Sequence, residues 1–226
     1  MDEPKEYINK KTIFLGREFY VDSRTHIPRP ATEFITKHYV NSINGYKHKI
    51  VVAEIGVGSG VISISAALEC PNISRIYAID LYKEALEVAS INVAAYKLQS
   101  KVELLQGDLF TPILDKNVDL IIANLPFASD KKMRSLRPEV LEFEPICGIY
   151  GEKTGFELYE RMFSQLKECK YLHSIKGLWV YCYKEHITRV RDIKESMFPS
   201  YDLELIEDAD KPNYLHCFLH KEQTQP

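Results

Sequence analysis

The sequence predicts an α/β fold with a doubly wound, mostly parallel β-sheet and an antiparallel strand pair at its C-terminal end. Short β-branched runs alternate along the chain with segments of helical periodicity, which is typical of βαβ units. The runs are apolar throughout, as expected of strands covered on both faces. The last two runs are separated only by residues 208–213, which is too short for a crossover helix and favours antiparallel pairing.

The individual elements follow from these patterns. Apolar runs predict strands at 49–55, 75–80, 101–106, 118–123, 177–183, 201–207 and 214–219. Apolar side chains spaced three and four apart predict helices at 61–68, 83–97, 155–171 and 185–198. A charged, proline-containing loop is expected over 126–155.

A small N-terminal element is predicted before the sheet. Residues 13–21 predict a hairpin that turns at Gly16, and residues 31–42 predict a helix. The chain is thereby divided into this element, residues 1–48, and a larger domain, residues 49–226.

The composition limits the class of protein. With 226 residues, 45% hydrophobic and 27% charged, the chain can form a packed core, and disorder or collagen-like repeats are excluded. The net charge of −3 argues against binding that depends mainly on phosphate contacts.

Cysteine and histidine spacing predicts neither disulfides nor a metal site. The five cysteines are odd in number, widely spaced and without a C-x-x-C pair, which favours a reducing compartment. The polar N-terminus is not typical of a signal peptide, and the longest uncharged run, 55–68, is too short to span a bilayer. We therefore expect a soluble, cytoplasmic protein without membrane contact.

A glycine-rich loop joins the first strand of the larger domain to its helix. Its residues are Glu54-Ile55-Gly56-Val57-Gly58-Ser59-Gly60. The dinucleotide fingerprint fails because position 61 is valine, and no Gly-Lys-Ser/Thr follows for a phosphate-binding loop. The remaining pattern, acidic-x-G-x-G-x-G, is similar to the first motif of S-adenosylmethionine (SAM) methyltransferases, which makes Glu54, Gly56, Gly58 and Gly60 candidate cofactor residues. A glycine-rich turn without a ligand is the alternative.

Two further acidic residues follow predicted strands. Asp80 ends the second strand, where a carboxylate can accept hydrogen bonds from ribose hydroxyls, with Leu81 beside it. Its alternative role is a helix N-cap. Asp108 and Leu109 follow the third strand. In SAM enzymes an aspartate at this position usually bonds the adenine amine, and neighbouring apolar groups pack on the adenine ring. An aspartate without a ligand, in an ordinary loop, is the alternative.

The fourth strand is followed directly by Asn124-Leu125-Pro126-Phe127. This stretch resembles the (Asn/Asp)-Pro-Pro-(Tyr/Phe) motif of methyltransferases that act on planar amino or amide nitrogens. An amide nitrogen is a poor nucleophile, so it must be held in line with the bond to the methyl group. Leu125 replaces the usual first proline and retains the backbone carbonyl needed as an acceptor, although it adds one N–H. A turn without a catalytic role is the alternative.

Other stretches resemble the protein-(glutamine-N5) methyltransferases, which modify peptide release factors. Residues 27–33 (IPRPATE) are similar to the I-P-R-P-E-T-E signature of that family, residues 14–20 (FLGREFY) to its preceding hairpin, and 138–140 with 144–145 to the region after its NPPY motif. The resemblance covers about residues 12–220. It implies a class I SAM-methyltransferase (Rossmann-like) catalytic domain, with SAM as cofactor and S-adenosyl-L-homocysteine (SAH) as product.

The same resemblance implies roles for individual residues. Asn124 would bind the glutamine amide and also contact the cofactor, and the Leu125 carbonyl would accept from the amide nitrogen. Pro126 belongs to the same catalytic motif. The residues expected to line or close the acceptor site are Pro30, Thr32, Glu33 and Phe127.

The chain departs from the family pattern in two further respects. Ala31 replaces the first glutamate of the signature, and only about a dozen residues precede the hairpin, so the helical N-terminal domain of the bacterial enzymes is expected to be absent. Related enzymes that lack this domain use a small partner subunit. The acceptor is therefore expected to be a protein, such as a peptide release factor, or a small molecule, with a partner subunit as an open possibility.

Two other functions remain open from the sequence. Nucleic-acid methylation at adenine N6 or guanine N2 uses the same motif, and basic residues follow it at Lys131, Lys132, Arg134 and Arg137. The second alternative is a protein that binds SAM without catalysing methyl transfer, because Leu125 and Ala31 depart from the family pattern. Tyr181 and Tyr183 are expected to pack between helix and sheet.

Overall fold

Seven strands form one sheet in the computed structural model, which describes residues 2–208, 210–211 and 213–221. Two further strands form a separate N-terminal hairpin. In chain order the strands are β1 Thr12–Phe14, β2 Arg17–Phe19, β3 Ile50–Ile55, β4 Ile73–Asp80, β5 Val102–Gln106, β6 Leu120–Ala123, β7 Gly177–Tyr183, β8 Asp202–Ile206 and β9 Tyr214–His220.

The order of the strands confirms the predicted fold class. The sheet runs β5-β4-β3-β6-β7-β9-β8. The five strands from β5 to β7 are parallel, whereas β9 pairs antiparallel with both β7 and β8. The chain order reverses between β3 and β6, and ligands of such sheets bind outside the carboxyl ends of the strands at that point.

The α-helices of the described residues are α1 Lys5–Ile8, α2 Pro30–Asn44, α3 Val61–Glu69, α4 Lys83–Ala95, α5 Asp130–Met133, α6 Pro138–Phe143, α7 Glu157–Leu166 and α8 Ile187–Met197. Of these, α2, α3 and α4 pack on one face of the sheet, and α7 and α8 pack on the other. Over the described residues, no helix combines the length and apolar character needed to cross a membrane.

The apolar residues of β6 explain why the strand runs are continuously hydrophobic. Leu120 and Ile122 belong to the core cluster that α2, α3 and the hairpin cover. Ile121 and Ala123 point to the opposite face, into the cluster covered by α7. Since successive side chains of a strand alternate between faces, a sheet with two cores needs apolar residues at every position.

The structure differs from the sequence prediction in three places. The predicted loop 126–155 contains α5 and α6, whose starts carry local signals: Ser129 Oγ accepts from Lys132 N at 3.4 Å, and Pro138 occupies the first turn of α6. The helix predicted at 155–171 is shortened to α7. The four residues of α1 are too few to show a helical period.

Polar side chains attach the N-terminal hairpin to the rest of the fold. The Glu33 carboxylate accepts from the backbone N–H of Leu15 at 2.8 Å, in the hairpin turn. The buried amide of Asn92 accepts from Tyr20 N at 2.7 Å, and its nitrogen donates to Tyr20 O at 2.9 Å and to Ser59 O at 2.8 Å. Asn92 therefore joins the exit of the hairpin to the glycine-rich loop.

Candidate functional site

A cavity of about 980 Å³ lies at the carboxyl ends of β3 to β6. The predicted site residues that line it are Pro30, Thr32, Glu54, Gly56, Gly58, Asp80, Leu81, Asp108, Leu109, Asn124, Leu125, Pro126 and Phe127. Two predicted residues lie outside its lining. Gly60 caps the start of α3, and Glu33 holds the hairpin turn.

The glycine-rich loop forms the floor of the cavity next to the Asn124 motif. Gly56 has φ +79°, and a Cβ atom there would lie 3.2 Å from the Leu125 side chain. Below the loop, the buried Glu54 carboxylate accepts from the backbone N–H of Ser63 at 2.9 Å and from its hydroxyl. Burial raises the pKa of Glu54 from 4.5 to about 8. The loop is thus fixed from beneath, with its upper surface open to a ligand.

Asp80 does not cap α4. Its carboxylate accepts from Gly58 N at 2.9 Å and from Tyr82 N at 3.1 Å, and α4 begins without a side-chain cap. Burial raises the pKa of Asp80 above its ordinary value. Because each carboxylate oxygen has a second lone pair, both can still accept from a ligand. The geometry thus favours a ligand-binding role over the capping role.

Asp108 is held by two side chains of α7 that the sequence interpretation did not select. Its carboxylate accepts from Arg161 Nη2 at 3.1 Å and from Gln165 Nε2 at 2.9 Å. Gln165 also accepts from Phe110 N at 2.8 Å, which fixes the amide. The spacing of four residues places Arg161 and Gln165 on one helix face, but only the fold shows which loop that face meets.

Asn124 is half-buried, and its side-chain amide bonds no described residue. The next residue, Leu125, is 3% exposed. The N–H that distinguishes Leu125 from a proline donates to the hydroxyl of Tyr159 at 3.2 Å. That hydroxyl in turn donates to Tyr181 O. The substitution therefore leaves no unpaired buried donor, and the Asn124 amide stays available to a ligand.

A second segment braces the backbone of this motif. Ala128 N donates to Ile149 O at 3.0 Å, and Gly151 N donates to Ala128 O at 2.9 Å. Gly155 has φ +84°, and a Cβ atom there would lie 2.2 Å from the Phe127 carbonyl oxygen. The two segments therefore pack backbone to backbone.

Three tyrosine rings surround Phe127. The centroids of Tyr181, Tyr183 and Tyr214 lie 5.1, 5.0 and 5.8 Å from that of Phe127, with interplanar angles of 82°, 81° and 77°. Tyr181 and Tyr183 are buried as expected, yet they also line the cavity, and Tyr214 was not predicted. Burial raises the pKa of Tyr181 and Tyr183 well above the ordinary value, so their hydroxyls are neutral.

Glu144 lies outside the cavity lining but holds two residues of its wall, His26 and Arg29. Its side chain is only 2% exposed and contacts Nδ1 of His26 and Nη2 of Arg29. It also accepts from the backbone N–H of Ile27 at 3.1 Å. Burial raises the pKa of the Glu144 carboxyl, but bonding to His26 and the Arg29 charge outweigh this and lower it. The end of α6 is thereby joined to the segment that carries the I-P-R-P residues.

Replacing Glu144 by glutamine is expected to destabilise the fold by about 1–3 kcal/mol at neutral pH. Removing one partner of a wholly buried pair costs about 3–5 kcal/mol, but the Arg29 side chain is 35% exposed and regains some hydration. Because folding lowers the pKa of Glu144, its carboxylate stabilises the folded protein at pH values above the ordinary pKa of 4.5. This stabilisation is lost as the pH falls through the pKa of the folded state. Urea unfolding at several pH values would measure it.

The exposed Glu142→Gln, on the same helix, is the matched control and should leave stability unchanged. The gap in free energy of unfolding between wild type and Glu144→Gln should narrow as the pH falls below 4.5. A gap that stays constant with pH would contradict the stated role of the carboxylate.

The described residues contain no group of three or more His, Cys, Asp or Glu side chains able to hold a metal ion. Besides carboxylates and the Asn124 amide, the polar side chains that line the cavity include hydroxyls and cations, such as those of Thr32, Arg29 and Arg137.

Comparisons with known proteins identify the family. The family described as Methyltransferase small domain matches residues 29–141, half of the chain. Release factor glutamine methyltransferase of Bacillus subtilis (strain 168) is 37% identical over 168 residues, which cover 72% of this chain and 57% of the relative. The chain therefore spans less than two thirds of the length of that protein.

A second relative matches over more of its length. Release factor glutamine methyltransferase of Dictyoglomus turgidum (strain DSM 6724 / Z-1310) is 37% identical over 210 residues, covering 91% of this chain and 71% of the relative. Among solved structures, ribosomal protein L11 methylase from Lactobacillus delbrueckii subsp. bulgaricus has a TM-score of 0.62 at 14% identity, covering 89% of this chain and 84% of that one. On the sequence matches, the chain belongs to the methyltransferase small domain family and, within it, to the release factor glutamine methyltransferase family.

Proposed function

We propose that this protein is a SAM-dependent N-methyltransferase that acts on a planar amide nitrogen, the side chain of a protein glutamine. The observation that carries the proposal is the meeting of two motifs in one cavity: the free amide of Asn124 lies beside the glycine-rich loop, where Gly56 approaches Leu125. The names of the relatives, release factor glutamine methyltransferase, support a peptide release factor as the acceptor.

The cavity fits SAM at its β3–β5 side. A Cβ atom at Gly56 would lie 3.2 Å from the Leu125 side chain, so the close approach of the loop to the Asn124 motif depends on glycine. Asp80 would accept from the ribose hydroxyls and Asp108 from the adenine amine, with Leu81 and Leu109 beside the ring. A volume of about 980 Å³ is at the upper end of the ~300–1,000 Å³ that drug-sized ligands occupy, which leaves room for an acceptor group. When bound, SAM supplies an electrophilic methyl group on a sulfonium.

The chain's own contribution is to position the acceptor. The Asn124 side chain donates to the acceptor carbonyl oxygen and accepts one of its N–H groups, while the Leu125 carbonyl accepts the other. Orienting the reacting atoms in this way can supply a large part of the rate enhancement. No strong base is needed, because taking up the methyl group would leave the amide nitrogen positively charged, and such a nitrogen readily releases a proton to water. The neutral tyrosines around Phe127 fix the position of the ring that would pack against the flat group.

Asp80→Ala is expected to weaken SAM binding by at least tenfold, as measured by isothermal titration calorimetry. The variant removes two acceptors for ribose hydroxyls and frees the Gly58 N–H, and hydrogen bonds to charged groups are worth about 1.5–3 kcal/mol each. Asp115→Ala, at a carboxylate that is 75% exposed, is the matched control. Undetectable SAM binding by the wild type, or an unchanged affinity in Asp80→Ala, would refute the cofactor assignment.

The acceptor is tested by mass spectrometry after incubation with deuterated-methyl SAM. A peptide release factor should gain one labelled methyl group on a glutamine. Labelling of RNA or DNA instead would favour the nucleic-acid function. SAM binding without transfer to any acceptor would favour a protein without turnover.

A further inference from the structure

The hydroxyl of Tyr159 bridges two neighbouring strands of the sheet just beyond their last pair. The strands β6 and β7 pair as far as Ala123 opposite Val180. Past this point, the hydroxyl accepts from Leu125 N at 3.2 Å and donates to Tyr181 O. The side chain therefore holds the two chains together where their own register ends.

The environment of this hydroxyl fixes the direction of both bonds. Tyr159 is fully buried. Burial holds its pKa well above the ordinary value, so the hydroxyl keeps its proton. There is only one proton to donate, and Tyr181 O is nearer than Ala123 O, which lies 3.3 Å away. The oxygen lone pairs are then free to accept the N–H of Leu125.

Leu125 has a freedom that a proline in the same place would lack. The proline ring fixes φ near about −65° and removes the N–H. The buried N–H of Leu125 has one partner among residues 2–208, 210–211 and 213–221, the Tyr159 hydroxyl. This N–H belongs to the planar peptide group that joins Asn124 to Leu125. A single hydrogen bond therefore satisfies the donor and restrains rotation of that plane.

We propose that Tyr159 is a positioning residue for the acceptor amide, whose hydroxyl supplies the restraint that a proline in place of Leu125 would supply. This inference rests on the proposed function, in which the Asn124 side chain and the Leu125 carbonyl hold the acceptor. The peptide plane that Tyr159 restrains connects the Cα atoms of these two residues, so its rotation would move one group against the other. A misplacement of about 1 Å can cost on the order of 10²-fold in rate.

The other end of the bridge reaches the aromatic residues around Phe127. Tyr181, whose carbonyl accepts from Tyr159, has its ring centroid 5.1 Å from that of Phe127, at an interplanar angle of 82°. The same hydroxyl therefore holds the strand that carries this ring against the motif that would bind the acceptor. Both the polar and the aromatic contacts of the acceptor depend on it.

Tyr159→Phe is expected to lower kcat for glutamine methylation by about tenfold, because it removes the bridge and leaves a buried N–H unpaired. SAM affinity, measured by isothermal titration calorimetry, should change by less than about twofold, since Asp80 and Asp108 remain. The matched control is Tyr201→Phe. Tyr201 is also buried and its hydroxyl also donates to a backbone carbonyl, that of Ile175, but it lies outside the cavity lining. This control should lose stability to urea but keep the wild-type kcat.

A double-mutant cycle shows whether the hydroxyl acts through the N–H of Leu125. In the Leu125→Ala background, which keeps the N–H, Tyr159→Phe should again lower kcat by about tenfold. In the Leu125→Pro background, which has no N–H and a fixed φ, the same substitution should lower kcat by less than about threefold. The stability lost through the bond to Tyr181 should be similar in all backgrounds, which separates positioning from a structural role.

A measurement without turnover tests the same restraint. Relaxation-dispersion NMR on the protein alone reports μs–ms exchange at the amides of Asn124, Leu125 and Phe127. Exchange should appear at these amides in Tyr159→Phe and be absent from the wild type and from Tyr201→Phe. Unchanged relaxation in Tyr159→Phe would overturn the proposal, whether or not an acceptor has been found.

Two kinetic results would also overturn it: a kcat of Tyr159→Phe no lower than that of Tyr201→Phe, or an equal effect of Tyr159→Phe in the Leu125, Leu125→Ala and Leu125→Pro backgrounds. If Leu125→Pro does not fold, the first comparison and the relaxation measurement decide. Failure of the proposed function would be seen separately, as absent SAM binding or absent glutamine methylation by the wild type.

Discussion

Replacing Asn124 by alanine is expected to lower kcat for methyl transfer by about 10²–10³-fold. The substitution removes the side-chain donor and acceptor that would hold the acceptor amide, and loss of one positioned hydrogen-bond donor in an active site typically costs this much. Because the Asn124 amide bonds no described residue, its removal leaves no partner unpaired inside the protein. Methylation of the acceptor found by mass spectrometry, followed under single-turnover conditions, measures the effect.

The control for this prediction is Asn117→Ala, at an exposed asparagine far from the cavity lining. It should retain the wild-type rate. SAM affinity of Asn124→Ala should change much less than kcat, since the glycine-rich loop and the two aspartates remain. A variant with nearly full kcat would show that Asn124 does not hold the acceptor, and would refute the proposed mechanism.

Gly155→Ala is expected to destabilise the protein by about 3 kcal/mol or more. A side chain at φ +84° costs about 1–2 kcal/mol by itself. The added Cβ would also lie 2.2 Å from the Phe127 carbonyl oxygen, and a backbone atom cannot move aside as a flexible side chain can. For a chain of this size each kcal/mol lowers the unfolding temperature by about 2–4 °C, which differential scanning calorimetry resolves.

Gly16→Ala separates the two contributions. Gly16 has φ +74°, but a Cβ atom there would meet no atom within 4 Å. It should therefore show only the conformational cost of about 1–2 kcal/mol. Equal losses of stability in Gly155→Ala and Gly16→Ala would mean that the backbone moves away from the added Cβ atom without a further loss of stability. In that case the segment around Gly155 would not hold the backbone of Phe127 in place.

The fold class and much of the site lining follow from local sequence signals. A buried strand appears as an apolar run, and the first polar residues after it mark its carboxyl end. These signals predict Gly56, Asp80, Asp108 and Asn124 as site residues, and all four line one cavity. Because parallel strands end at the same edge, no knowledge of the full topology was needed to group them.

Other residues in and around the cavity are placed by contacts between distant parts of the chain. Glu144 meets Ile27 across 117 residues, and Arg161 meets Asp108 across 53. The resemblance to the glutamine methyltransferases includes Glu144, but the sequence does not show which segment its carboxylate contacts, and nothing in the local pattern distinguishes Arg161 from an ordinary surface charge. Tyr214 is similar, since its place beside Phe127 follows from the antiparallel pairing of β9 with β7.

The bonds of Asn92 have a consequence for how the protein opens. One buried amide group uses its oxygen and nitrogen to hold Tyr20 in the N-terminal segment and Ser59 in the glycine-rich loop. Detaching the N-terminal segment would leave that buried amide without hydrogen-bond partners. The free energy lost in this way adds to the free energy lost when the hairpin no longer packs on the fold. The N-terminal segment and the cofactor loop therefore form one cooperative unit of local unfolding, so a ligand that orders the loop also protects the hairpin.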